Sequence, residues 1–182
     1  MNAIFSRMVR ALSFDERLYL EIAGDSSAIT QAATIVMLGA IAQVIGLQGA
    51  DPRCFLILMV QRLVWWLVIS VFIFLVGHRL FPPKLTDYGA NQPGPDLFKV
   101  VRVIGFTMTP RLFLIASLLP FIGYSLRLGI IPFWWIGLMI IAVKNLFGYN
   151  EVTRAALVVG VGFIPLMLIE PFIFSVGAGG TC

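Results

Sequence analysis

Charged residues are few in this chain. They make up 12% of 182 residues, against about 25% in an ordinary soluble domain, while 59% are hydrophobic and mean hydropathy is +0.96. A water-soluble fold of this length cannot hide so much apolar surface behind so few charges; a bilayer removes the need to. Histidine is nearly absent. One imidazole, His78, cannot build a His-based metal site, and Cys54 and Cys182 lack the spacing of thiolate metal ligands. Gly-x-Ser-x-Gly, Gly-x-x-x-x-Gly-Lys and His-Glu-x-x-His are all missing. So are paired intramembrane carboxylates, because Glu170 is the one acid in any apolar segment. These absences argue against an enzyme, and no cofactor is expected. Period-two alternation is missing too, which leaves helices rather than a β-barrel as the spanning form.

What remains is an all-α membrane bundle in a single domain. A spanning helix needs about 20 mostly apolar residues. Five segments approach this, at roughly 27–47, 54–77, 110–126, 129–147 and 155–176. Residues 1–26 carry charge throughout and hold no apolar run of signal-core length, so the first hydrophobic helix is expected to stay in the mature protein. Short amphipathic pieces are expected before it. Phe5, Met8, Val9 and Leu12 share one helical face beside Arg7 and Arg10. Ser13 and Glu16 fit a capping box for a second piece with Phe14, Leu18 and Ile22 on one face. Such a segment would rest on the membrane surface.

The region before the third span divides at Pro110 and Arg111. Residues 97–107 read as an interfacial helix capped by Asp96, with Phe98, Val101 and Phe106 toward lipid and Lys99 and Arg102 toward water. The alternative is one long kinked helix that carries Arg111 into the membrane, at a cost of at least a few kcal/mol. Between spans, HRLFPPKLTDYGANQPGPD (78–96) is rich in Pro and Gly and reads as irregular loop.

Basic residues are distributed unevenly. Arg7, Arg10, Arg17, Arg79, Lys84, Lys99, Arg102, Arg111, Lys144 and Arg154 fall on one side, Arg53 and Arg127 on the other, and Arg62 within a span. The positive-inside rule then places the N-terminus in the cytoplasm and, after five crossings, the C-terminus outside. The net charge of +4 is accounted for by topology and lipid headgroups, so nucleic acid is not an expected partner.

Arg62 and Glu170 are the charges of most interest. Counted from the outer ends of their spans, both lie on the order of 9–12 Å deep. Opposite charges at matched depth are expected to pair. Gln43 and Gln61 fall in the same outer half and complete a polar cluster, which reads either as a path for an ion or proton or as a salt bridge fixing helix neighbours. Pro165 and Pro171 are expected to kink the last helix around Glu170. Small residues such as Ala32, Gly39 and Gly162 mark close helix approaches. Trp65 and Trp66 read as packing; Trp134 and Trp135 read as an outer aromatic belt. Cys54 and Cys182 fall on the outer side, where they form either a disulfide or two unrelated thiols.

Residues 97–110, LFKVVRVIGFTMTP, resemble the Yip family of membrane proteins, the Ypt- and Rab-interacting type, through Phe98, Lys99, Arg102, Gly105, Phe106 and Pro110. Pro120-Phe121-Ile122-Gly123 and the turn LFGYNEVTRAA, with Gly148, Thr153, Arg154 and Ala155, resemble it as well. The resemblance implies five spans, a cytoplasmic N-terminus and, in eukaryotic relatives, vesicle traffic and prenylated small GTPases as partners. The short N-terminal region and Pro82-Pro83 depart from those relatives, and the short form looks more like the bacterial branch, which implies a bacterial inner membrane. The expected function is a non-enzymatic scaffold or adaptor. Its cytoplasmic contacts would be made by Phe98, Lys99, Arg102 and Arg154, and its partners would be lipids, other membrane proteins or further copies of itself. A small transporter or channel subunit using Arg62 and Glu170 is the other reading.

Overall fold

The computed structural model describes residues 3–48, 52–82, 95–119 and 123–175; of these, the side chains of 46–48, 52–54, 58, 124, 127 and 166–175 lie outside the description. The described residues are helical, with no strand among them. In chain order they form α1 (Ala3–Leu12), α2 (Glu16–Gly24), α3 (Ala28–Gln48) and α4 (Pro52–Leu75), which runs on as a π-helix over Val76–Leu80. Next come α5 (Leu97–Thr107), a 3-10 helix over Thr109–Leu118, and α6 (Gly123–Ser125). A π-helix over Leu126–Ile130 leads into α7 (Ile131–Phe147), and α8 (Val152–Ser175) follows. Four stretches are long and apolar enough to cross a membrane: Ala28–Ile45, Phe55–Leu80, Leu97–Leu118 and Leu128–Phe147. Among the described residues α8 adds the apolar stretch Val152–Pro165.

The third stretch corrects the sequence reading. α5 packs inside the bundle, and the candidate span runs over Leu97–Leu118 where the sequence reading had an interfacial helix followed by a span at 110–126. Asp96 does cap α5, accepting from the backbone N–H of Lys99 at 2.8 Å. From there the helix goes inward: Val100, Val101, Val103, Ile104, Gly105, Phe106 and Thr107 are all buried. Val101 and Phe106 therefore face protein, and of the expected lipid-facing trio only Phe98 is exposed. Arg102 does not face water either; its Nη1 donates to the Ala23 carbonyl at 2.9 Å. The chain continues into the 3-10 helix without leaving the bundle, so residues 123–126, expected at the end of the third span, belong to the entry of the fourth. The kink has a local cause. Pro110 has no N–H to offer the Phe106 carbonyl, and the Thr109 hydroxyl supplies the donor instead, at 2.6 Å. Thr107 does the same for Ile104 at 2.7 Å.

Close packing around α5 depends on two small residues. A Cβ on Gly105 would stand 2.6 Å from Ala32 Cβ, and one on Gly39 would stand 3.3 Å from Arg111 Cβ. These approaches set α3 and the α5–3-10 unit side by side, running in the same direction. Trp66 of α4 closes the third side, its Nε1 donating to the Val101 carbonyl at 3.0 Å. Trp65 and Trp66 are buried, as the packing reading had them. On α8, Gly162 approaches Ile73 of α4.

The N-terminal pieces are helices, as expected, but do not simply rest on lipid. Ala11, Leu18, Tyr19 and Ile22 are fully buried against protein. The cap of α2 is Asp15, which accepts from Arg17 N, whereas Ser13 donates back to Val9 O, so the expected capping box does not form. Phe14 takes left-handed backbone, φ 59°, uncommon for a bulky residue. That reversal folds α2 back on α1 and sets the Phe14 ring beside Gly137 of α7.

Candidate functional site

The first cluster lies at the N-terminal hairpin. Arg7 is mostly buried and reaches three acceptors: Glu21 at 2.9 Å, Asp25 at 2.8 Å and Gln31 at 3.0 Å. Arg10 pairs with Asp15 and Glu21, each at 2.7 Å, and Lys144 pairs with Glu16 at 3.1 Å. Arg7 and Arg10, expected at lipid headgroups, are thus held by carboxylates of their own chain. The pairs clamp the α1–α2 hairpin to the start of α3 and to α7. Trp134 adds a bond from Nε1 to the Leu12 carbonyl at 3.3 Å.

Hydrogen bonds from Ser27 and Arg7 hold the Asp25 carboxyl down at about 2. Asp15 and Glu21 are lowered as well, chiefly by the Arg10 guanidinium. Depressed carboxylates stabilise the clamp above their unfolded values, about 4, and that contribution is lost as pH falls from there toward 2. Spin labels on the exposed Val9 and Ile136 positions are therefore expected to hold a fixed separation at pH 7 and to move apart below pH 4. An unchanged separation at pH 2.5, with the spans intact, would contradict this.

A second cluster joins the turn between α7 and α8 to the end of α4. Gly148 closes α7 in the left-handed region, φ 65°. Tyr149 then turns inward, and its hydroxyl donates to the Phe81 carbonyl at 2.6 Å, with Gly77 O at 3.3 Å. Phe147 stacks on Tyr149 and leaves no space for a side chain at Gly77. Arg154 lies over the Tyr149 ring at 5.4 Å and donates to Pro82 O at 3.3 Å.

The expected site residues therefore separate into distinct places. Phe98 is 63% exposed, while Lys99 sits 3.9 Å from Asp96. Arg102 and Arg154 are tied to backbone carbonyls. Gln43 on α3 and Gln61 and Arg62 on α4 are half-buried. The side chain of Glu170 lies outside the described residues, and with it the expected Arg62–Glu170 pair and the kink at Pro171. The Cys54–Cys182 question lies outside them as well.

A third place corresponds to the less favoured of the two sequence readings, the one that carries Arg111 inward. Arg111, counted there as cytoplasmic, sits inside the bundle. It faces Gly39, about 16 Å along α3 from Ala28. Its Cζ lies 4.2 Å from the centroid of the Trp135 ring. Trp135 is 8% exposed and packs edge-on against Phe163 of α8. Trp134 and Trp135 both make contacts within the protein: one donates to the α1 backbone and the other lies under the half-buried Arg111. The sequence signal was available, because Arg111 follows Pro110 inside an otherwise apolar run. Among the described residues no cluster of three metal-ligating side chains occurs. Comparison with family models, curated proteins and solved structures finds no match to this chain.

Proposed function

We propose that this chain is a Yip-like, non-enzymatic scaffold or adaptor of five spans in a bacterial inner membrane, with its N-terminus cytoplasmic and its C-terminus outside. The reading is supported by the packed N-terminal hairpin and the helix ends around it. Phe5 on the clamped α1–α2 hairpin, Phe98 at the start of α5, and Leu80 and Val152 on either side of the Tyr149 cluster are each exposed apolar side chains at helix ends. For the fifth span, α8 has 24 residues, about 36 Å of helix, enough to cross the hydrocarbon layer. With Arg111 moved into the bundle, the cytoplasmic side still carries nine of the basic residues counted above against two outside, so the inferred orientation stands.

The test is a photo-crosslinker at Phe98 in intact cells, paired with reporter tags on both termini. One recurrent protein adduct, either another membrane protein or a second copy, together with tags on opposite sides, is the expected result. A small GTPase is the adduct that the family resemblance favours. Adducts to lipid alone, or both tags on one side, would sink the proposal. The transporter reading draws on the Arg62/Glu170 polar cluster expected from the sequence. Under it Glu170→Gln abolishes flux in folded protein, whereas a scaffold loses stability and keeps its partner.

A further inference from the structure

We propose that the α1–α2 hairpin draws the phospholipid headgroups of its own leaflet down beside α7, so that the bilayer is locally thinned on one side of the bundle. The outward surface of α4 shows what a full bilayer requires. From Leu56 to Leu75, every described side chain that is exposed is apolar. That stripe is about 28 Å tall, close to a hydrocarbon thickness of about 30 Å. On the α7 side the stripe is short. Exposed apolar side chains run from Leu128 to Ile136, about 12 Å, and no residue from Gly137 to Phe147 is exposed.

The hairpin covers much of that remainder. Trp134 bonds the Leu12 carbonyl, the Phe14 ring lies beside Gly137, and Lys144 pairs with Glu16. Gly137 is midway along the 20-residue stretch Leu128–Phe147, so the hairpin tip stands near mid-depth. The outward face of α2 is polar: Glu16, Arg17 and Glu21 are exposed around Leu20. Glu16 and Glu21 are paired, but Arg17 makes no ion pair among the described residues. Exposed charges facing acyl chains are costly. α5 ties the two sides to one height. Trp66 of α4 donates to the Val101 carbonyl, and the next residue, Arg102, donates to the Ala23 carbonyl of α2. α2 is therefore level with the part of α4 that exposes Val64 and Leu67. At that height the bundle is apolar on one side and charged on the other.

Charge decides what meets the polar face. It carries both signs, Arg17 with Glu16 and Glu21, which suits a zwitterionic headgroup: phosphate toward the guanidinium, ammonium toward a carboxylate. Val9 and Phe14, exposed near the hairpin tip, supply the apolar anchor of an interfacial helix. A bilayer meets a short apolar surface by thinning against it. The inference needs the apolar stretches to cross a membrane and does not need the scaffold reading, so a failed crosslink at Phe98 leaves it standing.

The test is power-saturation EPR on the full chain in phosphatidylcholine liposomes, carrying Cys54→Ser and Cys182→Ser and one nitroxide. The label stands at Leu20 or at Leu67, two positions of matched height and equal exposure, 46%. Oxygen concentrates in hydrocarbon, and a polar nickel chelate stays in water and headgroups. The Leu67 label is expected to collide more with oxygen and the Leu20 label more with the chelate, a reversal of the ratio at one height. Should labelling at Leu20 disturb α2, a label at Arg17 repeats the measurement, since that side chain has no ion pair to lose among the described residues. Oxygen-dominated collisions on α2 would place it in hydrocarbon and overturn the inference. Shielding of the α2 labels from both reagents would place a protein against them, a second copy or a partner, and overturns it equally. Chelate-dominated collisions at Leu67 do the same, because the two sides would then not differ.

Discussion

Gly105→Ala is expected to destabilise the bundle by about 1–3 kcal/mol, although alanine is intrinsically the better helix former. The propensity gain is about 1 kcal/mol. Against it stands a new Cβ 2.6 Å from Ala32 Cβ and 3.2 Å from Ala32 Cα. Ala32 is fully buried and its Cα belongs to the α3 backbone, so the helix itself has to move. Packing and not hydrophobicity drives helix association in lipid, so separating α3 from α5 removes the main attraction. Gly105→Leu enlarges the same conflict. The check is the melting temperature in nanodiscs, with Ala32→Gly added to Gly105→Ala. That second change removes the 2.6 Å approach and leaves the 3.2 Å one, so partial rescue is expected. No rescue would mean that the loss arises elsewhere.

Trp66→Ala is expected to cost about 3–5 kcal/mol, the range for truncating a buried aromatic. Trp66 is 4% exposed and stands where α4 meets α5. Trp66→Phe separates the contributions. It keeps most of the ring and loses the bond to Val101 O, for which about 1 kcal/mol is expected. Because Trp66 Cζ2 also lies 3.2 Å from the position of a Gly105 Cβ, the two sites should couple. Trp66→Phe is expected to soften Gly105→Ala. Strict additivity in a double-mutant cycle would refute the shared contact.

The membrane character and helical form were legible because they depend on composition and run length alone. Asp96 was legible as a cap because capping is local. α5 was misread for an instructive reason. Lys99 and Arg102 give its sequence an amphipathic look, but the long Arg102 side chain reaches back to the Ala23 carbonyl, so its helix can be buried beneath it. Arg111 was kept out of the membrane on the cost of an isolated charge, and it is not isolated: it stacks on an indole far along the chain. The hairpin clamp was hidden in the same way. Arg7 finds Glu21 and Asp25 only once a left-handed Phe14 has reversed the chain. Spacing rules read neighbours on one helix and have no access to partners brought together by a turn.

The Tyr149 hydroxyl has a mechanical corollary. It grips the carbonyls at the end of α4, and Arg154 grips Pro82 just beyond. A load applied to the chain after Pro82 is therefore shared between α4, along the backbone, and the α7–α8 turn, through these bonds. Whatever takes hold of the connection to α5 has leverage on the last helical pair, even though that pair is remote from it in sequence.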